Sequence, residues 1–299
     1  MQYLKDWIRL LRLKHWVKNL LVLFPLFFSG EGMETQSLAL GVCAFLVFSF
    51  GSSFVYVLND AKDVREDRLH PRKKYRPLAS GAISVHIAML VAVLFLLIAT
   101  AVCILFAKRP LYAFGTFFVY IALNIAYSLG LKNKPVIDVT ILALGFLLRV
   151  LFGGFFCGIP VSSWLFLTVL AISFFLALGK RRGELITHGA TSRKSLASYT
   201  PGFLEKNMYV FLGLGLVFYS LWTFQRIGDF SATLNLSTIA YVAGIFLAIL
   251  ICLRYSFDLE CKSSDGDPTE VLLGDTVLLI LVVCWLSSMT FSVYSGTVL

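Results

Sequence analysis

The sequence predicts an all-α, polytopic membrane fold: nine transmembrane helices in a single domain over residues 1–299. Three observations predict it. Apolar residues make up 58% of the chain and charged residues only 14%, against about 45–50% and about 25% in soluble domains. The mean hydropathy is +0.83. Stretches of the roughly 20 apolar residues that a helix needs to cross a bilayer fill most of the length. Disordered, collagen-like and disulfide-stapled secreted classes are thereby excluded. The six cysteines show no CxxC pair and no metal-ligand spacing. Five of them read as small core hydrophobes and Cys261 as a loop residue.

Residues 1–14 open the chain as a basic interfacial helix. Leu4, Trp7, Ile8 and Leu11 share one helical face and Lys5, Arg9 and Arg12 turn towards the other, a pattern suited to the cytoplasmic headgroup layer. No long apolar region precedes a small-residue cleavage site, so this is not a cleavable signal peptide. Nine spans follow at about 15–30, 38–58, 83–106, 111–130, 136–158, 162–179, 207–226, 236–256 and 272–295. The net charge of +9 then has a topological explanation. Of 26 Lys and Arg residues, 22 fall in the N-terminal segment or in loops 2/3, 4/5, 6/7 and 8/9. Lys108, Arg109 and Arg226 lie on the other side, and Arg149 alone is mid-span. The positive-inside rule places the N-terminus in the cytoplasm and the C-terminus outside a plasma (inner) membrane. No nucleic-acid partner is implied. A homo-oligomer is left open.

Loop 2/3 opens with Asn59-Asp60-Ala61-Lys62-Asp63-Val64-Arg65-Glu66-Asp67. If span two continues as a helix, Asn59, Asp60, Asp63, Glu66 and Asp67 fall within an arc of about 120°. Clustered acids repel one another unless a cation joins them, and oxygen ligands at a membrane edge suit Mg²⁺, which takes one or two carboxylates plus substrate phosphates. The alternative is a solvated acidic helix end paired with Lys62, Arg65 and Arg68. Next comes His70-Pro71-Arg72-Lys73-Lys74-Tyr75-Arg76-Pro77; the ten residues after Asp67 hold five Lys and Arg, which suits a polyphosphorylated ligand. Arg72 and Lys74 taken singly fit the positive-inside rule as well. Loop 6/7 carries Lys180-Arg181-Arg182-Gly183-Glu184 and Arg193-Lys194-Ser195-Leu196-Ala197-Ser198-Tyr199-Thr200. A basic group with a single acid is built to hold phosphate rather than metal. Loop 4/5 adds Tyr127-Ser128-Leu129-Gly130-Leu131-Lys132.

These residues resemble those of the UbiA-type superfamily of membrane-embedded transferases over essentially the whole chain. The N-D-x-x-D-x-x-x-D run at 59–67 resembles its first aspartate-rich motif, and Tyr127-Ser128 with Lys132 resembles its Y-S-x-x-x-K element. Within the superfamily, four stretches resemble the decaprenyl-phosphate phosphoribosyltransferase branch. They are Trp16-Val17-Lys18-Asn19, the His70–Pro77 run, Lys180-Arg181 with Glu184 leading into Arg193-Lys194-Ser195, and Gly266-Asp267-Pro268-Thr269-Glu270 with Asp275. Residues 175–206 contain no Asp, a departure from the second aspartate-rich motif of aromatic prenyltransferases.

The resemblance implies a nine-helix bundle with a cytoplasm-facing cavity. It also implies transfer of 5-phosphoribosyl from phosphoribosyl diphosphate to a polyprenyl phosphate, within cell-envelope glycan precursor synthesis. Asp60, Asp63 and Asp67, with Asn59, would hold Mg²⁺ on the departing diphosphate. Lys18, Asn19, Lys73, Arg76, Tyr127, Lys132, Lys180, Arg181 and Glu184 would bind substrate, with Lys194 and Tyr199 towards the donor's 5-phosphate. The runner-up is an aromatic polyprenyltransferase of a quinone or haem pathway using a prenyl diphosphate. A third reading is a transporter or structural membrane protein whose acidic face binds a coupling ion, although the charges gather at one membrane surface rather than near the midplane. Arg149 is divided between a functional and a structural pairing role. Asp138, at the start of span five, could line the cavity but reads first as a helix cap, and His15 and His188 read as interfacial residues.

Overall fold

A computed structural model describes residues 2–71, 73–189, 194–228, 235–261 and 268–295 of the 299. Among the described residues there is no strand. The helices are α1 (Gln2–Leu10), α2 (Phe24–Ser29), α3 (Thr35–Lys62), α4 (Val64–Leu69), α5 (Val85–Phe106) and α6 (Pro110–Leu129). They continue with α7 (Ile137–Cys157), α8 (Ser163–His188), α9 (Pro201–Ile227), α10 (Leu236–Cys261), α11 (Pro268–Gly274) and α12 (Thr276–Ser295). Eight of them, α3, α5 to α10 and α12, are long and apolar enough to cross a membrane. The chain is thus a multi-pass membrane protein.

The expected span at 15–30 is laid out differently. Arg12 adopts a left-handed conformation at φ 53°, which ends α1 before any continuous helix can form. A 3₁₀ segment then runs over Leu13–Leu23, far beyond the usual three or four residues. Pro25, which has no N–H to donate, stands in the first turn of α2. The expected N-terminal helix is therefore shorter than 1–14. Its Leu4 and Ile8 are exposed as an interfacial helix requires, but Leu10 and Asp6 are buried. Span six is longer than expected, because α8 continues through Lys180–Glu184. Span nine is split at Asp275, whose carboxylate accepts the Leu278 N–H at 2.7 Å and so starts α12. Cys284 is exposed on α12 rather than a core residue, and Cys261 ends α10 rather than lying in a loop.

The described helices belong to two compact units. The first comprises Met1–Phe27, Glu31–Leu129 and Leu148–Pro160. Its core is aromatic, with Phe48 against Tyr120 at 4.5 Å and Phe152 at 5.2 Å between ring centroids. α5 lays a row of small buried residues, Ala88, Ala92, Ala99 and Cys103, along α3. Close approach through small residues is how membrane helices gain van der Waals contact when lipid removes the hydrophobic advantage. The 3₁₀ segment is drawn in as tightly: a Cβ at Gly153 would lie 1.8 Å from the Val22 carbonyl oxygen. Arg149 is buried at mid-span in α7. Its Nε donates to Asn19 Oδ1 at 2.9 Å, an Nη donates to the Tyr120 hydroxyl at 3.2 Å, and its guanidinium lies over the Phe48 and Tyr120 rings.

The second unit comprises Phe28–Gly30, Gly130–Leu147 and Val161–Leu299. α8 and α9 pack side by side, and a Cβ at Gly215 would meet Ile172 at 2.6 Å. Leu196, Leu204, Met208 and Leu278 are fully buried between the helices of this unit. Ser162 accepts the Leu165 N–H to open α8, and Thr200, followed by Pro201, accepts the Phe203 N–H to open α9.

Candidate functional site

α3 is 28 residues long, or about 42 Å at 1.5 Å per residue, and exceeds a hydrocarbon core of about 30 Å. That length leaves room for an end to project beyond the apolar layer, and Asn59 and Asp60 lie in the last turn. The helix does not run on through the acidic motif as expected. Asp63 sits at φ −87°, ψ 5°, in the bridge region, and separates α3 from α4. Helical hydrogen bonds still flank the break, from the Asp63 N–H to Asn59 and from the Asp67 N–H to Asp63. Asp60 and Asp67, seven residues apart, consequently end on the same side and are both buried, while Glu66 is exposed and leaves the expected arc.

Two arginines meet the buried pair. Arg12 Nη2 donates to Asp60 Oδ1 at 2.7 Å. Arg76 Nη1 donates to the same oxygen at 3.2 Å and to Asp67 Oδ2 at 2.8 Å. The carboxylates keep 5% and 4% of their side-chain surface exposed, and the arginines 24% and 31%. Arg12 is steadied by the face of Tyr56, 4.5 Å from its guanidinium. Beside the cluster lies a cavity of about 480 Å³ lined by Arg9, Arg12, Lys14, His15, Asp60 and Arg76, among others. The loop that delivers Arg76 is held by Arg68 Nε on the Ala79 carbonyl. Lys62 Nζ reaches the Ser128 carbonyl at 2.7 Å, which brings the acidic motif to the Tyr127-Ser128 element.

Among the described residues, no three His, Cys, Asp or Glu side chains gather into a cage for a metal ion. Asp60 and Asp67 nevertheless share one cationic nitrogen, so their oxygens converge closely enough to bind a single positive centre. Two carboxylates are what Mg²⁺ ordinarily takes from a protein, with phosphates and water filling its octahedron. The donor set present fits that ion.

The other expected residues are dispersed. Asn19 is buried and structural in its contacts: its amide donates to Ser49 and Ser52 and its oxygen accepts from Arg149. Lys18 is half-buried in the 3₁₀ segment and Lys73 is exposed. In the second unit, Lys132 and Lys180 are half-buried and Lys194 is exposed. Arg72, Arg193, Gly266, Asp267 and the side chain of His188 lie outside the described residues.

The second unit holds a polar cluster around Asp138, which is fully buried. Instead of acting as a simple cap, its carboxylate accepts from Arg181 Nε at 2.6 Å, Tyr199 Oη at 2.7 Å and Ser195 Oγ at 3.2 Å. Arg181 Nη1 also donates to Glu184 at 2.6 Å. Tyr199 Oη in turn accepts the Val136 N–H. Burial, and then donation to Asp138, push the Tyr199 phenol well above its ordinary pKa, so it stays a protonated donor. Sequence reasoning missed Arg12 and the role of Asp138. The only available signal was a lone acid in the first turn of an apolar helix, because the partners of Asp138 lie 43 to 61 residues away.

Residues 20–272 match the profile of the UbiA prenyltransferase family. The chain belongs to that family. Two family relatives match nearly end to end, each named decaprenyl-phosphate phosphoribosyltransferase. The protein from Corynebacterium glutamicum is 38% identical over 296 residues, covering 96% of this chain and 86% of the relative. The one from Mycolicibacterium smegmatis is 36% identical, covering 96% and 92%. The fold is also that of a UbiA homolog from Archaeoglobus fulgidus solved with DMAPP and Mg²⁺. That structure superposes with a TM-score of 0.67 at 19% identity, over 97% of this chain and 99% of the homolog.

Proposed function

We propose that this chain transfers 5-phosphoribosyl from phosphoribosyl diphosphate to a polyprenyl phosphate, decaprenyl phosphate by analogy with its relatives, and releases diphosphate. The likeness at 36–38% identity over 96% of the chain to proteins of that name carries the reading. The reaction belongs at the cytoplasmic face of the plasma membrane, with the N-terminus on that side, as the charge distribution indicates. Its product would feed cell-envelope glycan synthesis. Aromatic prenyl transfer is the weaker reading, since residues 175–206 lack any Asp.

Asp60 and Asp67 would hold Mg²⁺, with Asn59 at the end of α3 and Asp63 at the break between α3 and α4 close by in the chain. Bound there, the ion would neutralise charge on the diphosphate as it departs. The ribose C1–O bond breaks with its electron pair going to diphosphate, and an anionic oxygen of the acceptor phosphate forms the new C1–O bond. No proton has to be removed from that oxygen, so no general base is required. Arg12 and Arg76, at the wall of the cavity, screen the repulsion between the phosphates. Lys18, Lys73 and Tyr127 are assigned to the same task in the first unit. In the second unit, Asp138 and Glu184 hold Arg181 in place. Lys132, Lys180 and Lys194 are the cations assigned to phosphate there, and Tyr199 and Ser195 position the segment that bears Lys194.

The test is turnover by the purified chain in detergent with labelled phosphoribosyl diphosphate, decaprenyl phosphate and Mg²⁺, followed by lipid extraction. The expected result is EDTA-sensitive transfer of ribose label into the lipid phase. No transfer by folded protein, together with prenylation of an aromatic acid from a prenyl diphosphate, would overturn the reading.

A further inference from the structure

The first unit's cluster is electrically balanced without an added ion. Asp60 and Asp67 contribute two negative charges, and Arg12 and Arg76 two positive ones. Both guanidinium groups converge on one oxygen, Asp60 Oδ1, at 2.7 and 3.2 Å, and Arg76 Nη1 reaches on to Asp67 Oδ2 at 2.8 Å. A divalent cation such as Mg²⁺ sits about 2.1 Å from its oxygen ligands. Held by these same two oxygens, it would compete with the Arg76 nitrogen for them. Ion and guanidinium are rivals for the same acceptors and repel each other as like charges. The acids are almost wholly enclosed, whereas a quarter to a third of each arginine is exposed and both arginines line the cavity of about 480 Å³. An arginine that releases its carboxylate is already at the wall of a space where an anion would rest.

We propose that Arg76, with Arg12 beside it, is a resident counter-ion that exchanges with the divalent cation. It neutralises Asp60 and Asp67 while the ion is absent and turns to the donor's diphosphate when the ion enters. This rests on the metal and donor assigned above, and adds a coupling between them. A cation alone overloads a balanced cluster with positive charge. A diphosphate alone finds the arginines committed to carboxylates. Together they restore balance, so each strengthens the other's binding by the same factor, within the common range of about 5- to 150-fold.

The experiment follows Mn²⁺ as the probe, by its paramagnetic resonance signal, with the full chain in detergent. Wild type, Arg76→Gln, Arg76→Lys and Asp67→Asn are compared with and without methylene diphosphonate, correcting for Mn²⁺ chelated free in solution. The expected wild-type affinity rises on the order of 10-fold when the diphosphonate is added. Both Arg76 variants should bind Mn²⁺ alone several-fold more tightly than wild type, and gain little from the diphosphonate. Lysine keeps the charge, but its side chain ends one bond short of the Nη1 atom that joins the two carboxylates, so it cannot hold both as Arg76 does. Were Arg76→Lys to match wild type while Arg76→Gln binds tighter, plain repulsion would explain the result and the exchange would be wrong. Binding that Asp67→Asn abolishes but Arg76 does not influence would also overturn the exchange and leave the metal assignment intact. Failure of wild type to bind Mn²⁺ under either condition would sink the metal assignment itself. If the Arg76 variants do not fold, Arg12→Gln carries the same test from another element, and unchanged affinity and coupling in that variant would overturn the proposal.

Discussion

The two units each contain an arginine held between two carboxylates, and the resemblance ends there. In the first unit, Arg76 joins Asp60 to Asp67 with 31% of its side chain exposed and a cavity beside it. In the second, Arg181 joins Asp138 to Glu184 with 1% exposed, and Ser195 and Tyr199 complete the shell around Asp138. The same ion pair is an exchangeable contact in one place and a lock in the other. What separates them is how many neighbours enclose the cation. A buried pair stripped of one partner leaves an uncompensated charge in a low-dielectric interior, whereas an arginine at a cavity wall can re-solvate or find another anion.

The largest expected effect is on the lock. Asp138→Asn should lower unfolding free energy by about 3–5 kcal/mol, read as a fall in thermal midpoint in detergent. An accompanying Arg181→Met should recover part of that loss. If Asp138→Asn left the midpoint unchanged, the contrast between the clusters would collapse. The first unit should behave oppositely, with Asp67→Asn keeping its thermal midpoint while turnover falls about 10²–10³-fold, the usual cost of losing one preorganised electrostatic stabiliser. Labelled product in the lipid extract measures it.

A smaller effect belongs to Tyr199. Replacing it with Phe removes a donor to a buried carboxylate and should cost about 1.5–3 kcal/mol. Its pH signature has a definite sign. Burial and the hydrogen bond to Asp138 raise the folded phenol above its ordinary value of 10.0, so between that value and the folded one the native state keeps a proton that the unfolded chain has lost. Its stabilising contribution is full below pH 10 and is lost as pH rises through the folded value. The wild type should therefore lose stability above pH 10 faster than Tyr199→Phe, and parallel pH profiles would refute the placement of this hydroxyl. The smallest effect is at Lys73, exposed in the first unit. A screened surface charge is worth at most about 1 kcal/mol, so Lys73→Ala should change KM for the donor by no more than about fivefold.

The spans from α3 onward were legible because twenty apolar residues leave the chain one way to satisfy its backbone in lipid. The segment at 13–29 was not. Its 3₁₀ path follows from the left-handed Arg12, from Pro25 and from the approach of Gly153 to Val22, and only Pro25 is visible locally. That Asp60 and Asp67 fall on one side was legible in their spacing, whereas Arg76 was expected as a phosphate ligand and not as the partner of these acids. Arg12 was hidden because membrane attachment already accounted for a basic N-terminal helix, and its partner lies 48 residues on. Asp138 was misread for the same kind of reason. A cap is a local explanation, and its three side-chain partners are all remote.

Asn19 has a consequence for biogenesis. Its side chain joins the 3₁₀ segment to Ser49 and Ser52 of α3 and to Arg149 of α7, which is synthesised 130 residues later. A ribosome delivers the segment long before the residue that fastens it exists. The 3₁₀ segment, made before α3, is thus among the last parts of this unit to be fixed, and a nascent chain arrested before α7 would hold Asn19 by Ser49 and Ser52 of α3 without Arg149.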